Sequence, residues 1–114
     1  MKAYSLQRFD KRGFYGNAKV IEEDDAEKLI SYNSCICIIR KKGEDDVDVV
    51  IYDFRDYEGK SLTFSHTSLR HLKDFLKNNG LIASSLAQIR KDYTILDGGV
   101  VERVNNNKRW KVGI

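Results

Sequence analysis

The segment Cys35-Ile36-Cys37-Ile38-Ile39 is apolar at five consecutive positions and is closed by Arg40, Lys41 and Lys42. A run this short, apolar on both faces and rich in β-branched residues, reads as the central strand of a sheet rather than as a helix. Candidate neighbours lie on either side of it at 4–9, 14–21, 28–32 and 47–54. Between them sit the turn-like clusters EEDDAE (22–27) and KKGEDD (41–46), whose charge and Gly43 suit solvated hairpin loops. The expectation for the first half of the chain is therefore an antiparallel sheet, with the central strand at 35–40.

Such a sheet needs a cover, and SHTSLRHLKDFLKNNG (65–80) is the candidate. At 100° per residue, Leu69, Leu72, Phe75 and Leu76 fall in one stripe about 100° wide, with Arg70, Lys73, Asp74, Lys77 and Asn78 beside or opposite it. Ser65 or Thr67 can cap its start, and Gly80 after Asn79 can stop it. A shorter helix is expected from Ser84 or Ser85 to Asp92, with Leu86, Ile89 and Tyr93 on one side, followed by a hairpin of 100–104 and 109–112 around Asn105, Asn106 and Asn107. The fold class expected is α+β: an antiparallel β-sheet packed by one amphipathic helix, with a short second helix and a C-terminal β-hairpin. The 114 residues suffice for a single domain over 1–114, and neither a repeat nor a proline-rich linker divides them. No apolar run approaches the roughly 18 residues of a membrane span, and the first residues lack the apolar core of a secretory signal. The expected location is the cytoplasm of a bacterial host cell, with no membrane partner.

Residue types that could carry chemistry find plainer roles. Cys35 and Cys37 alternate within a strand, about 7 Å apart, so a disulfide is unfavourable and both read as buried small hydrophobes. His66 and His71 have a spacing used by zinc sites, but a single residue between the cysteines does not make the usual turn. Ser68, His71 and Asp74 list the members of a hydrolytic triad, yet they march along one helix instead of converging; Ser68 is expected to cap and His71 to pack at the apolar boundary. The acidic clusters lack the Asp-x-Asp-x-Asp-Gly loop of an EF-hand. No catalytic residue, metal, cofactor or small-molecule substrate is expected, and the protein reads as a binding protein rather than an enzyme.

Charge is then the remaining resource. Residues 1–59 carry a net charge of about −3 and residues 60–114 about +6. Two surfaces follow. The acidic turns, with Glu22, Glu23, Asp24, Asp25, Glu44, Asp45 and Asp46, either are simply solvated or imitate nucleic-acid phosphate in the groove of another protein. Arg103, Lys108, Arg109 and Lys111 form a basic set around Trp110 suited to phosphate and base contacts, and Arg90 and Lys91 of the second helix are further candidates for phosphate. Trp110 itself either stacks on a partner or faces the core, the cations then guarding an edge strand. Residues 67–113 also follow the order of the last part of a winged helix, which leaves a DNA-binding accessory or regulatory protein as the alternative.

The segments FYGNAKVIEEDDAEKLISYNSCICII and SHTSLRHLKDFLKNNGL together resemble a group of small uncharacterised proteins of Gram-positive phages, plasmids and integrative elements, over roughly residues 14–81. The matching features are Phe-Tyr-Gly-Asn-Ala at 14–18, Ser-Tyr-Asn at 31–33 and the Ser65 to Gly80 segment. The group is similar to some type II-A anti-CRISPR proteins, inhibitors of Cas9. The resemblance implies a counter-defence binding protein whose partner is a CRISPR effector (Cas9), its guide RNA, or both; duplex DNA is the partner expected on the winged-helix alternative. It assigns no binding residue, and the stretch from Ile82 to Ile114 lies outside it.

Overall fold

The computed structural model describes residues 1–10, 13–104 and 109–112, with side-chain surroundings described through Val101. The elements are β1 (Lys2–Gln7), β2 (Phe14–Glu22), β3 (Ala26–Ser31), β4 (Ser34–Lys41), β5 (Val47–Arg55), α1 (His66–Asn78), α2 (Leu86–Asp92), β6 (Thr94–Val104) and β7 (Arg109–Val112). The strands lie in the order β1-β2-β3-β4-β5-β6-β7. This is the α+β class expected, with the central strand where the CICII run lies.

β1 to β5 form an antiparallel meander. The β3–β4 connection is a two-residue turn in which Tyr32 (φ 50°) and Asn33 (φ 77°) both take left-handed backbone, the requirement of a type I′ hairpin. Tyr32 thus belongs to a turn, and β3 ends one residue earlier than the expected 28–32.

One departure from the sequence expectation is topological. β6 begins at Thr94, not at 100, and its first part runs parallel to β5, Ile51 facing Ile95 and Tyr52 facing Leu96. Only 101–104 pair antiparallel with β7. The sheet is therefore mixed, and α1 and α2 form the crossover that a parallel pair needs. Period-2 patterning carries no information on strand direction, and Asp97-Gly98-Gly99 interrupts it in the middle of β6. The interruption has a cause: Gly98 sits at a register shift against Phe54, and a Cβ there would lie 3.0 Å from the Phe54 ring.

Both helices cover one face. Leu72, Phe75 and Leu76 of α1 and Ile89 of α2 share a single core with Leu6, Ala18, Val20, Leu29, Ile36, Cys37, Ile39, Val49 and Ile51. Burying apolar surface at about 25 cal/mol per Å² makes this the main source of stability. Ser65 is the N-cap of α1 through its backbone, with no side-chain bond, and the carbonyl of Ser65 accepts from Leu69 N. At the other end Gly80 (φ 74°) and Leu81 donate their N–H groups to the carbonyls of Lys77 and Leu76, a Schellman close. α2 is capped by Ser85, whose Oγ accepts from Gln88 N at 3.2 Å.

A bulge between Leu29/Cys37 and Ile30/Cys35 leaves Ile36 as the extra residue of β4. Cys37 therefore shares the helix-covered face with Leu29, and Cys35 shares the opposite face with Ile30. The expectation that both thiols are buried is met by Cys37 alone; Cys35 is half-buried. Ser68 and His71 also differ from expectation. Ser68 is no cap and His71 does not lie at the boundary: both are fully buried, each against Ser31 Oγ, at 3.2 Å from Ser68 Oγ and 2.9 Å from His71 Nδ1. The strand lacks a bulky residue at Ser31, and the polar pair fills that place.

Candidate anion-binding cleft

The last turn of the β1–β2 hairpin and one flank of α1 enclose a cleft of about 160 Å³ lined by Arg8, Phe9, Asp10, Tyr15, Arg70, Lys73, Asp74 and Lys77. Helical spacing explains the second half of that set. Positions 70, 73, 74 and 77 are i, i+3, i+4 and i+7, so they line one ridge beside the buried stripe. The first half is set by an irregularity in the sheet. The register slips between Ser5–Lys19 and Gln7–Phe14, and in the slipped stretch Tyr15 turns toward the helix. Its hydroxyl donates to Asp74 Oδ2 at 2.7 Å, and its ring meets the His71 ring edge-on at 4.5 Å. Asn78 Nδ2 donates to the Gln7 carbonyl at 2.7 Å, fastening the end of α1 to β1.

Electrostatically the cleft is cationic. Four side chains carry positive charge and two carry negative charge, and Asp74 already accepts the Tyr15 hydroxyl. Burial first, then the bond to Asp74, pushes the Tyr15 phenol above its usual range, so it stays a neutral donor. The Arg8 guanidinium stacks 4.8 Å from the Tyr15 ring centre, and Lys77 Nζ lies 5.8 Å from that of Phe9. Arg8 Nε is buried with no acceptor among the described residues, the kind of donor that an anion oxygen satisfies. Phe9, 47% exposed, offers an open ring at the mouth. Cations interleaved with aromatic rings are the apparatus of single-strand recognition: charge for phosphate, faces for bases.

The residues singled out from sequence are placed differently. Arg90 and Lys91 stand exposed in the last turn of α2, Arg90 stacked 5.1 Å from the Phe64 ring centre. Arg103 faces Trp110, Glu102 faces Lys111 and Val104 faces Arg109 in the β6–β7 ladder, while their side chains, and Lys108 entirely, lie outside the described residues. The acidic residues do gather. The 22–25 turn and the 44–46 turn occupy the same end of the meander, joined by Lys41 N donating to the Asp25 carbonyl at 2.8 Å. Lysines are mixed among them: Lys2, Lys28 and Lys41 border the same surface, and Lys28 pairs with Glu23 at 2.8 Å, which holds the Glu23 carboxyl below its ordinary range. Among the described residues no three of His, Cys, Asp or Glu converge as metal ligands. His66 is exposed at the start of α1, while burial lowers His71 to about 4.

Sequence reasoning missed Arg8, Phe9, Tyr15, Arg70, Lys73 and Lys77 as a group. The 70/73/77 ridge was a visible signal; its convergence with Arg8 and Tyr15 depends on the register slip and was not.

A family model described as a family of unknown function, DUF8033, matches residues 4–91, and the chain belongs to that family. No curated protein and no solved structure matches it. All eight cleft residues fall within the matched span, and β6 and β7 fall beyond it.

Proposed function

We propose that this DUF8033 protein acts by binding a phosphate-bearing strand in the cleft between the β1–β2 hairpin and α1, without chemistry of its own. The observation that carries the reading is the joining of Arg8, Arg70, Lys73 and Lys77 with the rings of Phe9 and Tyr15 in one cleft, with Arg8 Nε unpartnered among the described residues. Single-stranded or looped RNA fits best, because an exposed ring can stack only on a base that is not already paired. The resemblance to mobile-element proteins makes the most concrete partner the guide RNA of a type II CRISPR effector. Binding there obstructs assembly of the effector, a counter-defence role in the host cytoplasm. Arg90 and Lys91 of α2 and the basic set around β6 and β7, Arg103, Lys108, Arg109 and Lys111 with Trp110, would make a second contact, apart from the cleft, since β7 lies at the opposite edge of the sheet from β1.

Fluorescence anisotropy with a labelled RNA hairpin, against the same sequence as duplex DNA, tests the proposal. Four phosphate contacts to a single strand predict that log K falls with log salt at a slope near −3. The double variant Arg70→Glu/Lys73→Glu is expected to weaken RNA binding at least tenfold while the circular dichroism spectrum is unchanged. Binding indifferent to that variant removes the cleft from the reading. Tight, selective binding to duplex DNA instead supports the alternative, a DNA-binding accessory protein.

A second reading rests on the meeting of the two acidic turns at one end of the sheet. In it, Glu22, Glu23, Asp24, Asp25, Glu44, Asp45 and Asp46 occupy a nucleic-acid groove of the effector protein itself. Recovery of Cas9 in a nuclease-treated pull-down, abolished by Asp24→Lys/Asp45→Lys and untouched by the cleft variant, would favour this reading over RNA.

A further inference from the structure

The sheet face opposite the helices is apolar along its centre. One cross-strand line on it runs Ile21–Lys28–Ile38–Val50–Thr94, and beside it lie the pairs Ile30–Cys35 and Tyr52–Leu96. Ile21, Ile30, Cys35, Ile38, Val50 and Tyr52 are half-buried, and Leu96 is 47% exposed. No described helix packs there, since the buried residues of α1 and α2 all belong to the core on the other face. A solvated face of an antiparallel sheet is ordinarily polar, and a contiguous apolar patch marks an interaction surface.

We infer that this face is the interface of a homodimer, its occupant a second copy of the chain packed sheet against sheet. Charge favours a copy. The ionic groups bordering the apolar strip are of both signs: Lys28 pairs with Glu23, Arg40 stands opposite Asp48, and Lys19 stands at the rim opposite Ile30. Two such faces meet with little like-charge repulsion, whereas the cationic cleft or the acidic turns would repel their own image. An isologous two-fold contact needs that self-complementarity. Size agrees. Five strands about 4.8 Å apart, used over about 20 Å of their length, give a footprint of about 480 Å² per copy, or just under about 1,000 Å² for the pair, where specific interfaces begin. Short branched side chains also suit the roughly 10 Å separation of facing sheets.

Sedimentation equilibrium of the full chain between about 1 and 100 μM tests the inference. A dimer is expected for the wild type. Leu96→Lys, at a site exposed enough to be accommodated in the monomer, is expected to raise the dimer Kd at least tenfold, and Ile38→Lys is expected to do so more strongly. Circular dichroism of each variant distinguishes dissociation from unfolding. As a second measurement, a short bismaleimide is expected to link two copies through Cys35 and to fail with Cys35→Ser. A wild type that sediments as a monomer at 100 μM overturns the inference, whether the face is bare or covered by another protein in the cell. A dimer indifferent to Leu96→Lys and Ile38→Lys overturns it equally. The cleft plays no part in this test: Arg70→Glu/Lys73→Glu leaves the dimer intact, so failure of either reading is visible separately.

Discussion

His71 ties the stability of the fold to pH with a sign that can be worked out. Its ring is buried against Ser31, Tyr15 and Tyr32, and burial lowers its pKa to about 4 from the unfolded 6.5. Asp74 pulls in the opposite direction and Arg70 in the same one, both more weakly. Between those two values the unfolded chain takes up a proton that the folded chain refuses, so the contribution is fully present above pH 6.5 and is lost as pH falls toward 4. At 1.36 kcal/mol per unit the ceiling is about 3 kcal/mol, and about 2 is the figure to expect once partial opening of the site is allowed for. The assay is urea unfolding followed by circular dichroism at pH 7.5 and 4.5, for wild type and His71→Gln. Carboxylates also titrate in this range, but they do so in both proteins and cancel in the difference. The variant loses the packing of the ring against Tyr15 and is destabilised at pH 7.5; that penalty is expected to shrink by about 2 kcal/mol at pH 4.5. A penalty that stays the same within about 0.5 kcal/mol at the two pH values would refute the assignment of a buried, neutral imidazole.

Gly98→Ala places a Cβ 3.0 Å from the Phe54 ring and is expected to lower stability by about 1–2 kcal/mol, read as a shift of the thermal midpoint; Gly43→Ala, where a Cβ meets nothing within 4 Å, is the control. The two thiols are expected to separate in reactivity toward a disulfide reagent at pH 8. Burial raises both, but Cys37 is enclosed and labels only as the protein unfolds, while the half-buried Cys35 labels in the native monomer at high dilution, slower than a free thiol.

The elements themselves were legible where one physical signal dominated. The amphipathic stripe of α1 predicted Leu69, Leu72, Phe75 and Leu76 as the inward face and Gly80 as the stop; Leu72, Phe75 and Leu76 are core, Leu69 packs half-buried against it, and Gly80 closes the helix. The second helix likewise runs to Asp92 with Ile89 inward. What could not be read depended on pairing between distant strands. The bulge at Ile36 sends Cys35 and Cys37 to opposite faces although alternation puts them on one. The slip in the β1–β2 register turns Tyr15 to the helix, and the parallel setting of β6 follows from a crossover that no local pattern encodes. Ser68 and His71 failed for a related reason: a buried polar group is intelligible only once its partner, Ser31, is brought from 40 residues away.

The charge asymmetry was the strongest functional hint in the sequence, and the topology changes its meaning. Counted along the chain it divides into an acidic first half and a basic second half. In an antiparallel meander, however, successive turns alternate between two ends, so the 22–25 and 44–46 turns share one end while the β1–β2 and β3–β4 turns share the other. The acidic clusters therefore meet, and the basic cleft forms at the opposite end, taking Arg8 from the acidic half and Arg70, Lys73 and Lys77 from the basic one. A polyanion attracted to the cleft is held away from the acidic turns by roughly the length of the sheet's strands, about 20 Å, or two Debye lengths at 0.1 M salt. Neither end weakens the other. The molecule is polarised along its strands rather than along its sequence, so reversing charge in the cleft should leave the acidic end electrostatically unchanged at physiological salt.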